Sequence, residues 1–253
     1  MKRLFQPPSI LAAAAAALIL SGAPAAAQTS YTCRPVTAED AARLRGRPAV
    51  VADIDGVLTE YVNFDYGPTN QIFLDLGVGY PRIDSALMMN IYHRRGYVIV
   101  YMAGRPRDLM IKGKNGCDAS LAWLQSHGFP TENGDTLLLL QKGPAKIMDA
   151  QDRGQAMAEW MGDNGTALFT RFVDSLKSAY GLVPRYGYVD SDVVAQAFLN
   201  VGVPAPQIFS IGNKGISRLG FKGTTPIVGR RPNPGFTRHV RRFVIPKVPS
   251  AKR

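Results

Sequence analysis

Two aspartates separated by one residue follow an apolar run in the first quarter of the chain. Asp53, Asp55 and Gly56 come directly after residues 49–52, which read Ala-Val-Val-Ala. Two carboxylates that lie close together repel each other, so either a cation binds between them or one of them holds a proton. The first arrangement suits magnesium, which takes oxygen ligands and keeps positions for water and a phosphate. The second arrangement suits a nucleophile beside a general acid and base.

A buried strand has to position these carboxylates. A short apolar run that ends at a glycine turn is typical of a strand buried on both faces of a parallel sheet. The aspartates then stand at the carboxyl end of that strand, where open α/β sheets bind ligands, and Gly56 lets the backbone bend behind them. The alternative is that one aspartate caps the next turn while its neighbour is solvated, but the complete string through Thr59 favours a functional role.

Strands and helices alternate along the rest of the chain. Further strands are predicted over 97–103, 136–141, 186–190 and 207–211. Five helices are predicted: from Thr37 to Arg45, from Pro81 to Gly96, over 119–127, after Gly165 and over 193–199. Thr37 and Asp118 are the predicted N-caps of the first and the third. The predicted apolar faces are Ile83, Leu87, Met88 and Ile91 on the second helix, and Phe172, Leu176 and Tyr180 on the fourth. This alternation predicts an α/β fold on a mainly parallel sheet with right-handed crossovers.

The string from Asp53 to Thr59 resembles the first motif of the haloacid-dehalogenase (HAD) superfamily of phosphohydrolases, Asp-x-Asp-Gly-(Thr/Val)-(Leu/Val)-Thr. The resemblance implies a Rossmann-like HAD fold, with a mainly parallel sheet flanked by helices. It also implies that Asp53 is the nucleophile that takes up the phosphoryl group, and that Asp55 protonates the leaving oxygen and then activates water. Both residues would help to hold Mg²⁺, Asp55 through its backbone carbonyl.

The connection after this motif, residues 60–81, is rich in aromatic residues and glycine. About twenty residues are too few for a separate cap domain, so we expect a minimal cap and an open site. Open sites suit bulky substrates such as lipid or polymer phosphates, whose apolar parts the aromatic side chains could contact. The alternative is that these side chains pack on the scaffold.

A second part of the phosphate site is predicted after the strand over 97–103. The string Tyr-Met-Ala-Gly-Arg-Pro over 101–106 resembles the second HAD motif, Tyr-Leu-Thr-Gly-Arg-Pro, with Ala103 where the family has a hydroxyl. The backbone at Gly104 and the Arg105 guanidinium are expected to bind phosphate in its place, since arginine binds phosphate in a bidentate way. The alternative is that Arg105 only pairs on the surface.

A metal ligand is predicted where the strand over 186–190 ends. Asp190 lies twelve residues before Gly202, and aligned with related phosphatases it falls on the metal-ligand position. Val189 and Val194 stand where those relatives have a glycine and a second aspartate, and Asp192 is a candidate for the missing carboxylate. The alternative role for Asp190 or Asp192 is a helix N-cap.

The HAD resemblance also implies a cation that neutralises the nucleophile and the phosphate. The candidates are Lys142 and Lys146 after the third strand, and Arg171 and Lys177 on the helix before the fourth strand. Each of them is otherwise a surface cation, and the sequence does not choose between them.

Within the superfamily, the chain is most similar to the lipin and phosphatidylinositol-transfer-protein C-terminal domain. The strings that carry this resemblance are 96–106, 123–130 and 201–210, and it covers residues 48–212. It implies hydrolysis of phosphatidate-like lipids, as in lipins. The alternative is a catalytically degenerate lipid- or phosphate-binding domain, as in the transfer-protein versions, and the departures at Ala103, Val189 and Val194 keep it open.

The N-terminus is typical of a secretory signal peptide. Lys2 and Arg3 precede an apolar core over 10–20, and a small-residue cleavage site ends at Ala27. We therefore expect a signal peptide over 1–27, a HAD-like domain over 28–212 and a periplasmic or secreted protein. An uncleaved N-terminal anchor is the alternative.

The last part of the chain is strongly basic. The formal net charge is +11, and no Asp or Glu follows Asp192, whereas 11 Lys and Arg residues do. Residues 213–253 are also rich in Pro and Gly, so we expect a basic, loosely held tail. Its charge predicts an anionic partner: a phosphorylated small molecule or phospholipid, and an anionic membrane surface. Nucleic acid is the weakest interpretation, and solvated solubility charge is the alternative.

Two cysteines remain after the leader, Cys33 and Cys117. In an oxidising compartment they can form one disulfide, although the sequence does not show that the two sulfurs meet. A zinc site is not expected, because the chain has three His residues and no paired-Cys spacing.

Overall fold

A computed structural model of the chain describes seven segments of the sequence. They are residues 31–60, 80–107, 113–132, 134–141, 165–211, 221–228 and 234–251, with only the backbone of Arg105 and Pro106. The predicted leader over 1–27, most of the aromatic connection, and the candidate cations Lys142 and Lys146 lie outside the described residues.

The described residues form a six-stranded sheet in which every pair of neighbouring strands is parallel, in the order β3-β2-β1-β4-β5-β6. The strands are β1 Pro48–Asp53, β2 Val98–Pro106, β3 Thr136–Gln141, β4 Val183–Val189, β5 Ile208–Ser210 and β6 Thr225–Pro226. The predicted α/β fold is confirmed. The chain order reverses at β1, which places the strand that carries Asp53 in the middle of the sheet, at the switch point where such folds bind ligands.

Helices cover both faces of this sheet. They are α1 Ala38–Leu44, α2 Ser85–Arg94, α3 Gly116–Ser126, α4 Gly165–Ser178 and α5 Asp192–Asn200. A last helical run, named α6, is continuous over Thr237–His239, Val240–Val244 and Ile245–Lys247. Among the described residues, no helix has both the length and the apolar character that crossing a membrane requires.

Strand β1 is buried on both faces, as its unbroken apolar run predicts. Val50 and Ala52 belong to one core cluster, which includes residues of α2 and α6. Ala49 and Val51 belong to the other, which includes residues of α4 and α5. Because side chains alternate along a strand, each face of the sheet needs its own helical cover.

The predicted helix after Pro81 begins later, and only part of its predicted apolar face, Met88 and Ile91, is buried. It starts at Ser85, after Asp84 adopts a left-handed backbone with φ of 62°. Ile83 and Leu87, predicted for the apolar face, are 56% and 44% exposed. The left-handed residue changes the direction of the chain just before the helix, so the helical period cannot be counted from Pro81. The residues that α2 buries in the apolar core are Met88, Met89, Ile91 and Tyr92.

Two predicted N-caps also differ. Asn115, not Asp118, caps α3, because the Asn115 side chain accepts the Asp118 N–H at 2.8 Å. Ser191 caps α5, so neither Asp190 nor Asp192 has that role. The predicted N-cap at Thr37 is confirmed, and in the structure Asp40 completes a capping box with it.

Residues 234–251 are not loosely held, which corrects the expectation for this part of the tail. Phe236, Val240, Val244 and Val248 are all buried in the cluster on the α2 face of the sheet. Arg95 at the end of α2 donates to carbonyls at the end of α6, including that of Val248 at 2.6 Å. The buried residues recur at four-residue intervals, but the arginines between them make this stretch resemble a solvated tail.

On the buried side of α6, His239 joins two tyrosines in a hydrogen-bonded chain. His239 Nε2 lies 2.9 Å from Tyr188 Oη, which lies 2.7 Å from Tyr92 Oη. Burial lowers the pKa of His239 to about 4. The histidine is therefore neutral in the folded protein at neutral pH.

We expect acid to destabilise the protein through His239. The unfolded chain binds a proton at this residue near pH 6.5, whereas the folded chain binds it only near pH 4, so stability is lost as the pH falls through this window. The difference between pH 7.5 and pH 5 should be about 2 kcal/mol by this linkage. Urea unfolding at the two pH values measures it. His239→Gln keeps a polar side chain that does not titrate, so it should remove this pH-dependent difference in the free energy of unfolding. If the pH dependence of the variant equals that of the wild type, His239 is not its cause.

A disulfide closes the β3 edge of the fold. Cys33 and Cys117 are bonded, with their Cα atoms 5.4 Å apart. Next to Cys33, Thr32 forms an antiparallel bridge with Leu139 of β3. The bond therefore fixes a short segment along an otherwise exposed strand edge and ties it to the first turn of α3.

Reduction of this bond should lower the free energy of unfolding. The cysteines are 84 residues apart, and the loop-entropy model gives about 4.5 kcal/mol as an upper value for such a loop. Urea unfolding with and without a reductant measures the change. The double variant Cys33→Ser with Cys117→Ser should match the reduced protein and should not respond to reductant.

Candidate functional site

The carboxyl edge of the sheet brings the ends of three strands together. Asp53 is the last residue of β1 and lies opposite Met102 of β2, two residues before Gly104. On the other side Ala52 lies opposite Tyr188 of β4, two residues before Asp190. Since neighbouring strands lie about 4.8 Å apart, the register places Asp53 between the second-motif backbone and the predicted metal ligand.

The turn after β1 fixes the orientation of the aspartates. Asp53 is 5% exposed, and its Oδ1 accepts the Asp55 N–H at 3.3 Å. Gly56 has φ of 73°, a conformation that favours glycine. Thr59 closes the turn: its hydroxyl accepts the Gly56 N–H at 3.0 Å and donates to the Ile54 carbonyl at 3.2 Å. Asp53 therefore does cap the turn, as the alternative interpretation had it, and this contact also holds its carboxylate at the sheet edge.

Beneath the turn lies an arginine that sequence reasoning did not select. Arg82 is 1% exposed and donates to the carbonyls of Gly56 at 2.6 Å, Val57 at 3.1 Å and Pro234 at 3.1 Å. Arginine is almost never fully buried unless it is paired, so sequence reasoning treats it as a surface residue. No motif or spacing marks Arg82, and only the fold brings it to the turn.

The structure describes the predicted phosphate ligands after β2 only in part. Gly104 and the backbone of Arg105 belong to the end of β2, at the carboxyl edge, and the Arg105 side chain lies outside the described part of the chain. Ala103 is fully buried in the apolar cluster of the α2 face. The position that carries a hydroxyl in the second HAD motif is thus part of the core here.

Arg171 and Lys177 lie on α4, away from the aspartates. Arg171 is exposed near the middle of the helix, on the side opposite its buried face. Lys177 donates to the Val201 carbonyl at 2.8 Å, after the end of α5. Because α5 begins at the carboxyl edge of the sheet and runs away from it, Val201 and Lys177 lie at the opposite edge. The expected role of Arg171 in substrate binding remains a prediction, as does that of Lys142.

The oxygen donors predicted at the edge are of the chemical kind that a hard cation takes. The predicted set is the carboxylates of Asp53 and Asp190 with the backbone carbonyl of Asp55, and oxygen ligands of this kind are those Mg²⁺ prefers. Val194 stands at the position of the second aspartate in the resemblance, and its apolar side chain, buried in the core of the α5 face, has no oxygen donor. Within the described segments, no group of three or more His, Cys, Asp or Glu side chains is arranged to hold a metal. The predicted set has only two such carboxylates, with the third donor on the backbone.

Two cavities lie beside the disulfide, away from the aspartates. One, of about 380 Å³, is lined by Cys33, Cys117 and Tyr101 among others, and one of about 430 Å³ includes Arg107 and Asn115. Among the residues that the structure describes, none of the predicted site residues lines either cavity. Neither of these two cavities therefore belongs to the candidate site.

Comparisons with known proteins give matches to solved structures alone: no protein-family model matches the chain, and no curated protein does. A Pnkp1/Rnl/Hen1 complex matches with a TM-score of 0.42 and 15% identity over 73% of this chain and 50% of that one. A Pnkp1/Rnl/Hen1 RNA repair complex matches with 0.40 and 17%, over 73% and 47%.

A class C acid phosphatase from Bacillus anthracis with tungstate bound matches with a TM-score of 0.29 and 17% identity, over 61% of this chain and 72% of that one. The chain thus spans about half the length of the first two structures. None of the three structures reaches a TM-score of 0.5, so they assign no function to this chain.

Proposed function

We propose that the chain is an exported, Mg²⁺-dependent phosphatase that acts through an aspartyl-phosphate on Asp53. The observation that carries the proposal is the placement of Asp53 at the end of the central strand, buried and oriented by the turn that presents Asp55. This is the position at which the sequence resembles the first HAD motif.

The reaction has two steps at this turn. A carboxylate oxygen of Asp53 attacks the phosphorus, the phosphorus–oxygen ester bond breaks, and Asp55 gives its proton to the leaving oxygen. Asp55, now a carboxylate, takes a proton from water, whose oxygen attacks the phosphorus of the aspartyl-phosphate. Inorganic phosphate leaves and the Asp53 carboxylate is restored. Mg²⁺, held by Asp53, Asp190 and the Asp55 carbonyl, would offset the charge on the phosphoryl oxygens.

The proposed substrate class is a phosphatidate-like lipid. Two exposed apolar side chains, Tyr80 at 68% and Ile83 at 56%, flank the buried Arg82 that holds the turn. On α6, Arg238, Arg241 and Arg242 are exposed. Apolar side chains beside the site and cations on a neighbouring helix suit a phosphate carried at an anionic membrane surface. The disulfide supports export, because such bonds persist in oxidising compartments.

A lipid- or phosphate-binding domain without turnover is the second candidate. Two buried residues favour it: Ala103 and Val194 fill positions where active relatives have a hydroxyl and a carboxylate. Loss of one hydrogen bond to a charged group costs ~1.5–3 kcal/mol, so one such change weakens the binding of phosphate without abolishing it. Binding of phosphatidate without release of phosphate would identify this candidate.

We expect phosphate release from phosphatidate in vesicles to need Mg²⁺ and to stop on addition of EDTA. The chain from residue 28 is assayed against phosphatidate and against p-nitrophenyl phosphate, each with Mg²⁺ and with EDTA. A faster reaction on the vesicles supports the lipid class, whereas equal or faster release from the soluble ester would reject it. Release that persists fully in EDTA would reject the metal.

A further inference from the structure

We propose that Arg82 is a positioning residue for Asp53 and Asp55, and that it couples the C-terminal segment to the candidate site. The inference deepens the proposed function and rests on it for its consequence in catalysis. The coupling between the C-terminal segment and the turn is a property of the fold, so it holds with or without turnover.

The contacts of Arg82 join three parts of the chain that are distant in sequence. Its Nη2 and Nε donate to the carbonyls of Gly56 and Val57 inside the turn, and its Nη1 donates to the carbonyl of Pro234. The next residues strengthen the link, because the Phe236 N–H donates to the Ile83 carbonyl at 2.8 Å. The segment that leads into α6 is therefore bonded to the turn through one guanidinium.

Burial makes this arrangement specific for arginine. A guanidinium presents its N–H groups in a rigid planar fork, whereas a lysine offers one compact ammonium on a flexible stem. At 1% exposure the charge of the guanidinium is screened little by water. Arg82 therefore places a fixed positive charge at the backbone that directly follows Asp55.

Arg95 provides a matched control. It also ties α2 to α6 through backbone carbonyls, with Nη2 donating to Ile245 at 2.7 Å and Nη1 to Val248 at 2.6 Å. However, Arg95 follows the end of α2, just before β2 begins, and so lies at the edge of the sheet opposite the aspartates. Both arginines anchor the C-terminal segment, but only Arg82 contacts the turn of the site.

The test compares Arg82→Lys with Arg95→Lys by hydrogen exchange at the Gly56 and Thr59 amides, which are bonded within the turn. Both variants are measured at a temperature at which they are fully folded. We expect exchange at these amides to rise at least tenfold in Arg82→Lys and to stay unchanged in Arg95→Lys. Equal exchange in the two variants, or none above the wild type, would overturn the proposal.

A second variant approaches the contact from the other side. Pro234→Gly keeps the carbonyl but loosens its position, and should raise exchange at the same two amides, which serves if Arg82→Lys does not fold. Exchange at the wild-type rate in Pro234→Gly would overturn the coupling to the C-terminal segment.

The kinetic readout separates positioning from general stability. For phosphate release, Arg82→Lys should lower kcat at least tenfold and raise the Mg²⁺ concentration for half-maximal rate, while Arg95→Lys changes neither. A fall in kcat equal to that of Arg95→Lys would reject the catalytic part. If the wild type releases no phosphate, the proposed function fails, and the exchange result still decides whether Arg82 positions the turn.

Discussion

Asp53→Asn should reduce phosphate release by at least about a thousandfold, because the variant has no carboxylate oxygen to form the aspartyl-phosphate. The substitution is close to isosteric. The amide oxygen of the new side chain can still accept the Asp55 N–H that Asp53 Oδ1 accepts at 3.3 Å, so the turn should keep its shape. The loss then reports on chemistry and not on folding. Initial rates with saturating Mg²⁺, together with thermal unfolding of the same samples, measure both.

A surface aspartate gives the control for this variant. Asp174 is exposed on α4, outside the candidate site, and Asp174→Asn removes the same charge. It should keep the wild-type rate. If Asp53→Asn also kept that rate, the aspartyl-phosphate mechanism would be wrong. A partial loss of a few fold would point to a carboxylate that assists the reaction without forming the covalent bond.

The parts of the fold that the sequence predicted are those in which local pattern and tertiary role agree. β1 is apolar up to its final aspartate because both of its faces are covered, and β3 was predicted with the bounds Thr136–Gln141 that the structure shows. The residues from Asp53 to Gly56 predicted a turn that carries two carboxylates, because a glycine at this position allows the left-handed backbone that the turn needs. Short-range rules suffice for features of this kind.

The parts that sequence reasoning missed depend on contacts between distant segments. The buried Arg82 has one of its acceptors on Pro234, more than a hundred residues later in the chain. The shift of α2 to Ser85 follows from one left-handed residue, Asp84, which is not a glycine and carries no signal of its own. Helix α6 was missed for a different reason. The average composition of the tail is dominated by its arginines, whereas the packing of this segment depends on four apolar residues at helical spacing.

Deletion of residues 234–253 should unfold the protein, because this segment completes the core on the α2 face of the sheet. Phe236 and Val244 are 0% exposed, Val240 is 2% and Val248 is 5%. Burial of such a side chain stabilises a protein by about 1.5–3 kcal/mol, so the four together contribute about 6–12 kcal/mol. That is comparable to the whole stability of a typical domain, about 5–15 kcal/mol. The deletion would also remove the Pro234 acceptor of Arg82.

Circular dichroism and urea unfolding of the truncated and full chains measure this effect. Single substitutions divide it further: Val244→Ala should cost about 1–3 kcal/mol through the cavity that it leaves, whereas Arg242→Ala on the exposed side should stay within about 0.5 kcal/mol. A truncated chain that unfolds cooperatively at the urea concentration of the full chain would show that the segment only rests on the sheet. If the truncated chain unfolds, residues 234–251 are an essential part of the core. They then support the turn that carries Asp53 and Asp55 at a fixed position, through the bond from Arg82 to Pro234.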